Sequence, residues 1–185
     1  RGRPLKERWD TVGAGLLLDV QRQVWGDSPP LRWWPAKTEG LLVQPMRGGD
    51  GGCEPSGGRF WIEAMLTDAD PQVPEVLRVA WLITCLAIDN HLPDASPALI
   101  QAWSLAAVPL VLSAGCQLEV IRADTLPVQS ATQLWQQGDA MVGDKVDFWW
   151  HENRSSPSPL PVAVKELELL LRTVSPDDPF EADSC

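Results

Sequence analysis

The sequence contains no tyrosine, only two histidines and four cysteines. Histidine is the side chain whose ordinary pKa lets it exchange protons near neutral pH, so imidazole chemistry is confined to His91 and His151. His151-Glu152 begins like the zinc-peptidase pattern H-E-x-x-H, but position 155 is Ser155, so the second metal-ligating histidine is missing. His91 stands three residues before Asp94. A His–Asp dyad there is the sharper reading, and an exposed or capping histidine in a connector is the ordinary one.

The cysteines, Cys53, Cys85, Cys116 and Cys185, form no C-x-x-C pair and fit no zinc module. Cys85 and Cys116 lie in apolar stretches, where a free thiol behaves as a small hydrophobe. Cys53 and Cys185 lie in segments expected to be exposed. Free thiols in a reducing compartment are expected over a Cys53–Cys185 bridge, which makes a cytoplasmic setting the default.

Catalytic signatures are also missing. There is no G-x-S-x-G elbow, no Walker loop and no G-x-G-x-x-G. Gly48 to Gly58 has enough glycine to bring backbone amides to a phosphate, but it lacks the Lys-Ser/Thr pair and the following helix start. Positive charge is scarce too. The net charge is −10, and the only basic cluster is Arg1, Arg3, Lys6 and Arg8. A phosphate backbone or an anionic bilayer surface needs clustered cations, so neither nucleic acid nor a membrane is an expected partner. The chain opens on Arg1 with no basic-then-apolar leader, and reads as a fragment or subunit of something longer.

What is present reads as a globular domain. Apolar residues make up 44% and charged residues 22% of 185 positions, enough for a core without staples. Residues 1–8 are expected to be a loose basic arm, and residues 9–152 the domain. Leu16, Leu17, Val20 and Val24 repeat at helical spacing after a start near Asp10 or Thr11. Leu41-Leu42-Val43 and Phe60-Trp61-Ile62 read as two strands of an antiparallel hairpin over about 41–65, joined by a segment with six glycines and one proline.

Two apolar helices follow, at about 74–88 and 97–114. Their short connector makes them an antiparallel pair at the centre of the fold. On the first, only Glu75, Arg78, Thr84 and Asp89 are candidates to face water. The second lies in a stretch, between Pro93 and Arg122, whose only charges are Asp94 and Glu119. That stretch is long enough to cross a bilayer, but Pro97, Gln101, Ser104 and Pro109 favour a core helix surrounded by protein, kinked at Pro109. A helix over about 126–137 and a strand over 146–150 come next. Residues 153–161 read as a Pro/Ser linker, 162–175 as an amphipathic helix docked on the domain, and 176–185 as an acidic tail. The expected class is α+β, predominantly helical.

Ten tryptophans are the compositional oddity. Trp33-Trp34 and Trp149-Trp150 are adjacent pairs. On a strand each pair would send one ring inward and one outward, and an outward indole suits a binding interface. The alternative is that tryptophan stands in for tyrosine in the core. Asp68 and Asp70, two apart, would share a face of an extended segment as a hard cation requires. Capping of the next helix is the ordinary reading. Cys53 has Arg47 and Arg59 to lower its pKa and Asp50 and Glu54 to oppose them.

Two functions follow. The first is a non-catalytic interaction or accessory domain, its interface at Trp33, Trp34, Trp149 and Trp150. Its partner would be another protein or another part of a longer chain, with no cofactor and no metal. The second is an enzyme whose site draws on Cys53, His91, His151, Asp68 and Asp70, which requires those residues to converge.

Overall fold

Two helices with almost no charge on any face must be surrounded by protein, and the rest of the chain is arranged around that requirement. The computed structural model describes residues 3–44, 50–54, 57–63, 68–122, 124–154 and 159–172. The order is α1 (Arg3–Trp25), β1 (Glu39–Val43), β2 (Gly51–Glu54), β3 (Arg59–Glu63), α2 (Glu75–His91), α3 (Pro97–Gln117), α4 (Val128–Leu134), α5 (Ala140–Arg154) and α6 (Leu160–Arg172). The class is α+β and predominantly helical. Arg1, Arg47, Gly48, Ser155, the end of the expected hairpin at 64–65 and the expected tail with Cys185 lie outside the described residues.

α2 and α3 form the centre. Leu77, near the start of α2, lies against Gly115, near the end of α3; a Cβ on that glycine would sit 3.0 Å from both Leu77 methyls. At the other end Ile88 and Leu92 share a cavity with Leu99 and Trp103. The two helices therefore run antiparallel. Between these points the indole of Trp81 donates to the carbonyl of Ser104 at 2.9 Å. Ser96 caps α3, its hydroxyl accepting from the Leu99 amide at 3.2 Å, and Pro97 occupies the first turn, where a missing N–H costs nothing. α3 runs continuously through Pro109. It is long and apolar enough to cross a membrane, and 67% of its most apolar stretch is buried inside the protein.

Four expectations need correcting. First, residues 3–8 are not a loose arm but the opening turns of α1. Ion pairs one helical turn apart, Arg3–Glu7 and Lys6–Asp10, support those turns, and Arg8 is tied to Asp68 at 3.0 Å. Second, the two apolar strands are not an antiparallel hairpin. β1 and β3 run parallel, with Leu41 opposite Trp61, and β2 pairs antiparallel on the other side of β3, giving the order β1-β3-β2.

The glycines explain why the turn-rich segment supplies a strand. Gly40 and Gly52 stand opposite Phe60 and Trp61 on β3. A Cβ at Gly40 would meet the Phe60 ring at 2.5 Å, and one at Gly52 would meet the Trp61 indole at 2.9 Å. Each aromatic ring lies across its facing glycine, in the space a side chain would fill.

Third, the expected strand at 146–150 is the middle of α5, which buries Gly143, Val146, Trp149 and Trp150 on one side. Fourth, the polar residues of α2 do not all face water: Glu75, Arg78 and Thr84 are buried. Thr84 satisfies its hydroxyl on the Ala80 carbonyl at 2.8 Å. α6 packs on α3, α5 and α1 through Ala163, Val164 and Leu167. The Trp149 indole donates to the Ala163 carbonyl at 2.8 Å, and the Lys145 ammonium to the Leu170 carbonyl at 2.9 Å.

Candidate functional sites

The five residues named for a chemical role do not converge. Cys53, on β2, points its sulfur at the Leu82 carbonyl of α2 at 3.3 Å. Burial, with Asp89 adding to it, pushes that thiol up to about 12, away from the thiolate a nucleophile needs. The Cys85 thiol, buried on α2, is raised as well, chiefly by that burial. Asp68 and Asp70 serve the turn before α2. One Asp68 oxygen accepts from the Glu75 amide at 2.8 Å and the other pairs with Arg8, while Asp70 accepts from the Gln72 amide at 2.8 Å. His91 closes α2 with its ring edge-on to Trp33, centroids 4.9 Å apart. His151 stands on α5, exposed, 3.7 Å from Asp147. No hydrogen bond joins any two of the five. Among the described residues no group of three or more His, Cys, Asp or Glu is placed to hold a metal.

The four tryptophans expected at an interface are turned into the protein. Trp33 and Trp149 are each 3% exposed and Trp150 7%. Trp34, half-buried, packs against Trp33 with ring centroids 5.7 Å apart. The outward ring expected of each pair rested on strand geometry. Trp33-Trp34 lies in the loop after α1, and Trp149-Trp150 on a helix, where neighbours are separated by about 100°.

Two arrangements were not anticipated from the residues. One is a buried charge cluster. Arg78, 2% exposed, donates to the Leu134 carbonyl at the end of α4 at 2.6 Å and lies 3.7 Å from Glu75. Glu63, also 2% exposed, ends β3 and accepts from the Asp50 amide at 3.2 Å. Burial raises the Glu75 carboxyl; Arg78 pulls it back, while Asp68 and Glu63 push it further up. Perturbed carboxylates can mark a catalytic site. This cluster is instead sealed, and the guanidinium ties α2 to the negative end of α4, where a cation is favoured.

The other is the outer edge of the sheet. β1 is exposed along its whole length, and Leu41, Leu42 and Val43 stand 46%, 47% and 36% exposed in succession. Among the described residues no strand pairs with this edge. Beside it runs a groove of about 340 Å³ between the sheet, α1 and α2, lined by Leu5, Trp9, Leu42, Phe60, Ile62 and Ile83. Leu42, Phe60 and Ile62 are on the same sheet face, because side chains alternate along each strand.

No protein-family model, no curated protein and no solved structure matches the chain. The functional reading therefore rests on these surfaces alone.

Proposed function

We propose that this chain is a non-catalytic interaction domain that takes an extended segment of another protein, or of a longer chain, along the open edge of β1. The observation that carries the reading is an edge strand left unpaired among the described residues, with three successive exposed apolar side chains beside an apolar groove. A free edge offers unpaired backbone donors and acceptors, and native proteins usually blunt it with charge, proline or a bulge. β1 carries one charge, Glu39 at its start, and from Gly40 to Val43 it has neither charge nor proline. A strand laid on β1 would complete its hydrogen bonds and place every second side chain over the groove, the division between affinity and specificity seen in strand addition. The separation of Cys53, His91, His151, Asp68 and Asp70 supports binding over chemistry.

The test is selection of displayed random peptides on the full chain, followed by titration of the winners against Leu42→Lys. The expected winners alternate apolar and polar residues, and Leu42→Lys weakens them by about ten-fold or more, since a lysine on an edge strand opposes strand addition. Leu169→Lys, at a still more exposed position on α6, leaves binding unchanged. Peptides without alternation, or equal affinity for the wild type and Leu42→Lys, overturn the reading.

A further inference from the structure

The backbone of β1 alternates in what it offers to the open edge. Glu39 donates its N–H to the Gly58 carbonyl at 3.1 Å, so Glu39 is turned towards β3. Leu41 and Val43 are turned the same way, because successive residues of a strand point their N–H and C=O groups to opposite sides. Gly40 and Leu42 therefore present both of their groups to the open edge, where no strand takes them among the described residues. A molecule that completes this edge must return two donors and two acceptors at that spacing.

β1 meets the requirement itself. Laid antiparallel on a second copy of the chain, with the two-fold axis through Leu41, Gly40 stands opposite Leu42 and Leu42 opposite Gly40. Both are hydrogen-bonded pairs that exchange two bonds each, so every outward group of both strands is satisfied. Moving the axis to Gly40 or to Leu42 leaves half of those groups without a partner in β1.

The side chains agree with this register. The Phe60 ring lies across Gly40, in the space where a Cβ would be 2.5 Å from it. Leu42 of the second copy, standing opposite Gly40, would lie beside that ring at the mouth of the groove lined by Leu5, Trp9 and Ile83. On the other sheet face Leu41 meets Leu41 in a non-hydrogen-bonded pair, where side chains are closest. Glu39, the one charge on β1, faces Val43 rather than a second Glu39, so like charges do not oppose each other. Leu41, Leu42 and Val43, exposed by 46%, 47% and 36%, are all drawn into one contact. Any extended segment can satisfy the backbone; a second copy also sets a leucine opposite the glycine and covers the same apolar row on both molecules.

We propose that β1 pairs with β1 of a second copy of this chain in an antiparallel, two-fold contact centred on Leu41, joining the two sheets into one. Such a contact uses the same patch of both molecules. It rests on the reading of β1 as a strand acceptor, and names the chain that supplies the strand.

Sedimentation equilibrium of the full chain is the test. The wild type is expected to dimerise with Kd on the order of 10 μM, as suits a small contact. Leu41→Glu and Leu41→Lys each set like charges face to face on the axis, and each alone is expected to weaken the dimer by about ten-fold or more. Mixed in equal amounts, the two variants are expected to pair about ten-fold more tightly than either does alone, because the axis then brings glutamate against lysine. That rescue requires residue 41 to meet itself. A wild type that stays monomeric up to about 200 μM, a dimer indifferent to both variants, or no rescue on mixing overturns the proposal. The selected peptides keep the two readings apart. A monomeric wild type that binds them, and loses them on Leu42→Lys, removes the self-pairing alone; peptides indifferent to Leu42→Lys remove the strand acceptor and the self-pairing together.

Discussion

Replacing Arg78 with methionine is expected to remove about 3–5 kcal/mol of folding stability, because it leaves carboxylates buried without their cation. For a chain of this size that lowers Tm by roughly 6–20 °C. The guanidinium is 2% exposed and serves the Leu134 carbonyl as well as Glu75, so methionine can replace its bulk but none of its charge. The loss should also depend on pH. Burial already raises the Glu75 carboxyl, and Arg78 holds it back. Without Arg78 it rises further. A carboxyl whose folded pKa exceeds its unfolded one binds more protons in the native state, so stability increases as pH falls through the folded value. The deficit of Arg78→Met should therefore be largest near neutrality and shrink towards the unfolded value of about 4.3. Glu75→Gln in the same background should recover part of it. Urea unfolding at several pH values measures all three. A deficit under about 1 kcal/mol, at the level of an exposed ion pair, would show that the cluster is not sealed as described.

Leu77→Ala is expected to cost about 2–5 kcal/mol, the range for a buried leucine whose cavity cannot collapse. Leu77 has no exposed surface and its methyls press on Gly115 across the α2–α3 contact. Gly115→Ala alone gains helix propensity but places its Cβ 3.0 Å from those methyls. Once Leu77 is alanine that space is open, so Gly115→Ala should then be tolerated or stabilising. A coupling of about 0.5–3 kcal/mol between positions 77 and 115 is the expected signature of direct contact. Effects that add to within about 0.5 kcal/mol would place the two residues apart.

The helical centre was legible because charge is absent from whole runs of sequence, and a helix apolar all round has only one place to go. The sheet was partly legible. Leu41–Val43 and Phe60–Ile62 do form strands, but their pairing was read from adjacency along the chain. The observed pairing places Phe60 and Trp61 over Gly40 and Gly52, a cross-strand property that turn composition does not carry. The 146–150 segment failed because five residues cannot separate period 2 from period 3.6. Over 140–154 the buried positions Gly143, Val146 and Trp150 fall at helical spacing.

The sites were least legible. Arg78 looked solvent-facing because a lone cation on an apolar helix usually is; its partners arrive from β3, from the residue before β2 and from the end of α4. The tryptophan pairs drew attention for their composition, yet the edge left open is β1, where glycine, leucine and valine follow a single glutamate.

Hydrogen exchange of the intact chain in detergent-free buffer tests the architecture most directly. The amides of Val76–Ile88 and Ala102–Ala114 should be the slowest in the protein and open only with global unfolding, as the best-buried elements do. β1 amides facing outward should exchange far sooner. Fast exchange across either central helix, or a chain that keeps its fold only in detergent, would contradict the account.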